Sequence, residues 1–159
     1  MRKIDALLNE YGDSHQNSLN KTIHWICVPL IFFSVVGLFW SIPSEMLKSA
    51  FPAMGSYANF ATLALILTLI YYITLSVPIF IGMMVVVGLC LGIWNWVGQT
   101  FATPIWMISL IIFVAAWIGQ FYGHKVEGKS PSFFKDLQFL LIGPAWLMHF
   151  IYKRLGLGY

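Results

Sequence analysis

The chain has 159 residues, of which 59% are hydrophobic and 9% charged, with a mean hydropathy of +0.79 and a formal net charge of +3. Soluble domains carry roughly 25% charged residues, and a soluble fold of this length cannot hide so much apolar surface. The small basic surplus is scattered at segment ends, which excludes a nucleic-acid footprint and leaves an integral membrane protein.

In chain order, residues 2–12 predict a short amphipathic helix. Ile4, Leu7, Leu8 and Tyr11 follow helical spacing, Gly12 is a natural stop, and the apolar stripe suits a membrane surface. There is no early apolar run of the kind a cleavable signal peptide needs. The polar stretch 13–18 is suited to capping a following helix. Four apolar spans are then expected at about 23–40, 58–75, 79–97 and 104–122, each close to the 17–25 residues that cross a bilayer. Pro43 and the polar 41–49 stretch close the first, Ser76-Val77-Pro78 separates the second from the third, and Pro104 opens the fourth. Residues 125–136 form a polar loop with three lysines. The last apolar segment, 137–152, is short and carries Gly143-Pro144, so it predicts a re-entrant or interfacial helix covered by protein. The fold class is therefore an all-α, single membrane domain, with four transmembrane helices flanked by these two shorter ones.

Residues 49–124 contain no Asp, Glu, Lys or Arg. With four spans, Arg2, Lys3, Lys21 and the 125–135 lysines share one side, and the positive-inside rule places that side in the cytoplasm. Lys153 and Arg154 join them only if the last segment does not cross. Trp40, Trp94, Trp96 and Trp106 read as an outer aromatic belt, with Trp25 on the inner side. Cys27 and Cys90 lie inside apolar segments and read as small core residues.

This topology gathers all four histidines at one face. His15 and His24 stand at the inner end of the first span, His124 at the inner end of the fourth, and His149 on the last segment. Imidazole is the commonest side-chain metal ligand, and polar groups at membrane depth are costly unless paired or functional. A purely interfacial hydrogen-bonding role remains the alternative for each. Asn20 is four residues from His24 and shares its helix face, either orienting the imidazole or punctuating the helix start. Gln120 lies one turn before His124, where it can bind a substrate carboxylate or a water, or link two helices. Glu127 follows His124 by three, but Gly123 and Gly128 suggest a turn there. Its carboxylate is a ligand, a support for a ligand, or an ion-pair partner of Lys125 or Lys129. Lys21, Lys125 and Lys129 are positioned to attract an anion. A haem held by His24 and His124 and a non-enzymatic transporter or assembly factor are the rival readings. Phosphate loops, HExxH and nucleophile-elbow motifs do not occur.

Two stretches are more specific. Trp117-Ile-Gly-Gln-Phe-Tyr-Gly-His124-Lys-Val-Glu-Gly-Lys-Ser-Pro131 follows an upstream His15-x4-Asn20-x3-His24-x4-Pro29, with Gly143-Pro144 further on. Together they resemble the family of the fungal 2-hydroxy fatty acid dioxygenase, in the wording of its bacterial branch, over about residues 15–29 and 117–149. The resemblance implies an iron(II)-dependent membrane enzyme of fatty acid α-oxidation. Such an enzyme uses O2 to convert a 2-hydroxy fatty acid to the acid one carbon shorter, and a bacterial inner membrane would hold it. It further implies His15, His24 and His124 as iron ligands, with His149 a possible fourth. Three histidines and a chelating 2-hydroxycarboxylate leave one position of six for O2; four leave none. Glu127 stands one residue closer to its histidine than the acid of eukaryotic members. The resemblance leaves oligomeric state and acyl chain length open.

Overall fold

A computed structural model describes residues 2–13, 15–128 and 139–158. The predicted loop residues 129–136, including Lys129 and Lys135, lie outside the described residues, as do residues 137 and 138 of the last apolar segment and Ser14 of the polar stretch. Every regular element among the described residues is helical: α1 (Lys3–Asp13), α2 (Ser18–Trp40), α3 (Glu45–Ala50), a 3-10 helix (Pro52–Tyr57), α4 (Phe60–Leu75), α5 (Val77–Thr100), α6 (Ile105–Glu127) and α7 (Ile142–Arg154).

Local chemistry fixes the helix ends. Asn17 caps α2, its side-chain oxygen accepting from the Leu19 and Asn20 amides. Asn59 caps α4 by accepting from Thr62 N at 3.0 Å. Ser76 does the same for α5, with Pro78 in the first turn where its missing N–H costs nothing. Gly128 ends α6 in the left-handed region, φ 72°. The polar 41–49 stretch is not all loop, since it folds into α3.

Three helices, α2, α5 and α6, are long and apolar enough to cross a membrane. The helix at the second expected span, α4, has 16 residues, about 24 Å at 1.5 Å per residue. Ile66, Ile70, Val85, Leu89, Ile111 and Ile118 all face outward. Apolar exposure on this scale is foreign to a soluble monomer and natural against lipid.

The long helix α2 is the centre of the bundle and touches α4, α5, α6 and α7. It runs antiparallel to α6. Asn20 faces Gly123, Cys27 faces Gly119, and Gly37 faces Ser109. Gly119 and Gly123 form a small-xxx-small pair that lets the backbones close up. A Cβ on Gly119 would stand 2.6 Å from Cys27 Sγ, and one on Gly123 would meet Asn20 Oδ1. The expected turn at Gly123 is therefore incorrect. Glycine here serves helix contact, and α6 continues unbroken to Glu127.

Two further expectations are corrected. The apolar stripe of α1 does not lie on a membrane surface; Ile4, Leu8 and Tyr11 are buried against Phe139, Ile142, Trp146 and Leu147. Trp94 is not part of a surface belt. It is fully buried, stacks on Phe33 at 4.4 Å and donates its indole N–H to the Phe33 carbonyl.

Gly143-Pro144 opens α7 instead of interrupting it. Residues 142–147 are buried among the other helices, whereas Lys153 and Arg154 are exposed. Two tyrosines clamp this helix. Tyr72 OH donates to the Leu141 carbonyl and Tyr152 OH to the Pro78 carbonyl, both at 2.6 Å. The first bond satisfies a partly buried backbone acceptor at the start of α7.

Candidate metal centre

The start of α2 and the end of α6 lie side by side because the two helices are antiparallel. That packing brings together His15, in the α1–α2 connection, His24 and His124. All three are buried. Each offers a ring nitrogen, and the three nitrogens lie within 4.8 Å of one another. The rings of His15 and His24 are 4.1 Å apart between centroids, those of His24 and His124 5.3 Å, and those of His15 and His124 5.8 Å.

The hydrogen bonds define the tautomers. His15 Nδ1 is 2.6 Å from the Tyr11 carbonyl oxygen, and His24 Nδ1 is 2.9 Å from the Asn20 carbonyl oxygen. A carbonyl only accepts, so both Nδ1 atoms carry the proton. Both Nε2 atoms of the neutral rings are then acceptors, yet they face each other at 2.8 Å. Two lone pairs at that distance repel unless a cation stands before them. A shared proton relieves one pair, whereas a metal ion also engages the third imidazole. Two nitrogens bound at right angles to one ion, each about 2.1 Å from it, stand about 3 Å apart. Backbone carbonyls on the far ring nitrogens are also the usual support for metal-binding histidines. The donor set therefore fits a divalent transition metal.

Neighbouring groups hold the rings in place. Tyr11 stacks on His15 at 4.4 Å, and Trp146 lies 5.6 Å from it. The Glu127 carboxylate accepts from the backbone amides of Gln16 and Asn17 and from Asn20 Nδ2, at 2.8 to 3.2 Å. It thereby clamps the connection carrying His15 onto α6. Among the described residues Glu127 forms no ion pair with Lys125, which is exposed. Asn20 is fully buried and supports His24 through its backbone carbonyl and Glu127 through its amide.

Gln120 borders a cavity of about 30 Å³ shared with His24, Tyr11 and Trp117. That is room for one water molecule. The Gln120 amide oxygen is buried with no hydrogen-bond partner among the described residues. Such an orphaned acceptor costs about 1–3 kcal/mol, so the site suits a water or a substrate hydroxyl.

His149 is not among the three gathered histidines. It is half-buried beside Phe150 on the wall of a second cavity that also touches His15. Burial, and then the charge of Lys153, hold its imidazole below the ordinary value, so the neutral ring is favoured there. Tyr11, Trp146 and Lys153 were not singled out from sequence. Helical periodicity showed the stripe holding Tyr11, but nothing in the sequence showed what it packs against.

Fold and site together define an all-helical protein with apolar, membrane-length helices and a buried histidine trio able to hold a metal ion. The chain belongs to the 2-hydroxy-palmitic acid dioxygenase Mpo1-like family, which matches it over residues 1–155. Membership implies a 2-hydroxy fatty acid dioxygenase kind of function, with a fatty acid and O2 as substrates. Comparison with curated proteins and with solved structures gave no match.

Proposed function

We propose that this protein is an iron(II)-dependent membrane dioxygenase that shortens 2-hydroxy fatty acids by one carbon, with His15, His24 and His124 as the iron ligands. The observation that carries this reading is the pair of opposed Nε2 acceptors at 2.8 Å, with His124 in reach of both. Bound iron(II) would supply redox chemistry toward O2 and open positions for substrate, in the manner of three-ligand non-haem sites. The protein's own groups do the rest. The Tyr11 and Asn20 carbonyls keep both histidines in the metal-binding tautomer. Glu127 and Asn20 hold the His15 connection against α6. Gln120 offers its amide to a water or substrate oxygen beside His24. The apolar walls of that small cavity, Val28, Ile31 and Phe139, limit water to about one molecule.

A haem held between His24 and His124 is disfavoured, because His15 stands against both rings where the porphyrin would lie. His149 is not a ligand in this reading.

For the fold, we propose that α4 completes a set of four crossings and that α7 is re-entrant, its start buried against α1, α2 and α5. The N-terminus, the histidine trio, Lys125, Lys153 and Arg154 then face the cytoplasm. A bacterial inner membrane suits this arrangement. The test is metal analysis of anaerobically purified protein, followed by assay with a 2-hydroxy fatty acid and O2. About one iron per chain and a product one carbon shorter are expected. Protein that stays metal-free after iron loading overturns the reading and favours a non-enzymatic membrane protein.

A further inference from the structure

The cavity beside His15 and His149 has a volume of about 280 Å³ and opens to solvent. Four of its wall groups carry charge: Asp5, Asp13, Lys21 and Lys153. Asp5 is already engaged, since Arg2 donates to it at 2.9 and 3.0 Å. Among the described residues neither Lys21 nor Lys153 forms an ion pair. The four wall charges balance, but Arg2 from outside the wall already engages Asp5, which leaves Lys21 and Lys153 facing one acid, Asp13, and able to hold an anion.

An apolar groove of about 500 Å³ lies next to this cavity, between α2, α5 and α7. The two share no wall residue, but both are bordered by α2 and α7. Lys21 on the cavity wall and Trp25 on the groove wall are one helical turn apart on α2. On α7, Phe150 lines the cavity, and Leu147 and Ile151 line the groove. The Trp25 ring on the groove wall and the Phe150 ring on the cavity wall stand 6.4 Å apart between the two. From there the groove follows α5 from Met83 to Ile93, roughly 15 Å of helix. A pocket bearing two lysines beside a long apolar groove, with two aromatic rings between them, matches a carboxylate whose acyl chain passes those rings.

We propose that Lys21 and Lys153 hold the carboxylate of a long-chain fatty acid in this cavity, beside His15, while the chain passes Trp25 and Phe150 into the groove. The inference rests on the dioxygenase reading only in placing that carboxyl end next to the histidine trio. It makes Lys21 and Lys153 substrate-binding residues and places His149 on the wall of the carboxylate pocket.

Binding of palmitate and of methyl palmitate to the purified full-length protein in detergent, followed by tryptophan fluorescence, tests the proposal. Palmitate lacks the 2-hydroxyl, so it reports charge and chain, not chelation. The wild type should bind the acid at least tenfold more tightly than the ester. The double variant Lys21→Met, Lys153→Met should lose that preference, and Lys21→Arg, Lys153→Arg should keep it, both with unchanged iron content. Leu147→Trp, which narrows the groove, should weaken acid and ester alike. Equal binding of acid and ester by the wild type overturns the proposal. So does a preference that survives in the double Met variant, or ligand binding indifferent to Leu147→Trp. An iron-free protein that still prefers the acid keeps this inference and sinks the iron reading; an iron-bound protein without the preference does the reverse.

Discussion

At the scale of single residues, the histidines are separated by what stands behind their rings. His15 and His24 each have Nδ1 committed to a carbonyl and Nε2 turned to the shared centre, whereas His149 lines the adjoining cavity. His15→Ala, His24→Ala and His124→Ala should each purify with well under one iron per chain, and His149→Ala with iron near the wild-type level. Metal analysis of the four variants checks this, and iron retained at wild-type level in all four would refute the site. Glu127 acts at one remove. It fixes two backbone amides just after His15 and the Asn20 amide. Glu127→Ala should lower metal affinity about 10–100-fold, as loss of a group that orients a ligand does. Chelator competition measures it, and an unchanged affinity would leave the carboxylate with a purely structural role.

At the scale of elements, the α2–α6 contact builds the centre, and glycine sets how closely the two helices approach. Gly119→Ala and Gly123→Ala each insert a methyl against α2, and overpacking of this kind costs about 1–3 kcal/mol. Gly88 has nothing within 4 Å of its would-be Cβ, so Gly88→Ala should be neutral or slightly stabilising. Thermal unfolding in detergent compares them, and the Gly123 variant should also hold iron poorly because Asn20 is displaced. Equal melting temperatures for all three would mean that the close approach does not matter. The same glycine shows where sequence reading stops. Gly123 beside Gly128 reads as punctuation, and in a soluble chain that rule serves well. Between apolar helices the driving force is close packing, and small residues mark contact instead. Of these two, Gly128, at φ 72°, is the stop. In α1 the apolar spacing of Ile4, Leu8 and Tyr11 was legible, but periodicity reveals a face and not its partner, and the partner is α7. Trp94 misleads in the same way, since an indole near a helix end suits either an interface or a core with a carbonyl in reach.

At the scale of the whole molecule, the helix order was readable because apolar runs and proline breaks leave few alternatives, and the convergence of His15, His24 and His124, which the α2–α6 packing produces, was expected from a reading with four crossings. An even number of crossings returns the chain to its starting side. Lys153 and the groove were not readable, because they depend on how α7 seats against α2 and α5. The antiparallel register makes parity testable. Asn20 and Gly123 lie at one end of the α2–α6 pair, and Gly37 and Ser109 lie toward the other. If the bundle spans the membrane as proposed, residue 49 faces one side, and residues 125 and 154 face the opposite one. Ser49→Cys should react with a membrane-impermeant maleimide in intact cells. Lys125→Cys and Arg154→Cys should react only after permeabilisation. All three positions are exposed, and the native Cys27 and Cys90 are buried, so background labelling should be low. Labelling of Ser49→Cys and Lys125→Cys from the same side would be incompatible with α2 and α6 crossing the membrane as a pair. Arg154→Cys labelled from the outside, with Lys125→Cys inside, would mean that the last segment crosses. Lys153 would then be removed from the face that holds the histidine trio, and the carboxylate pocket with it. At 13 residues, or about 20 Å, α7 is shorter even than α4, and it begins buried within the protein and ends on exposed Lys153 and Arg154, which is why the cytoplasmic result is expected for both.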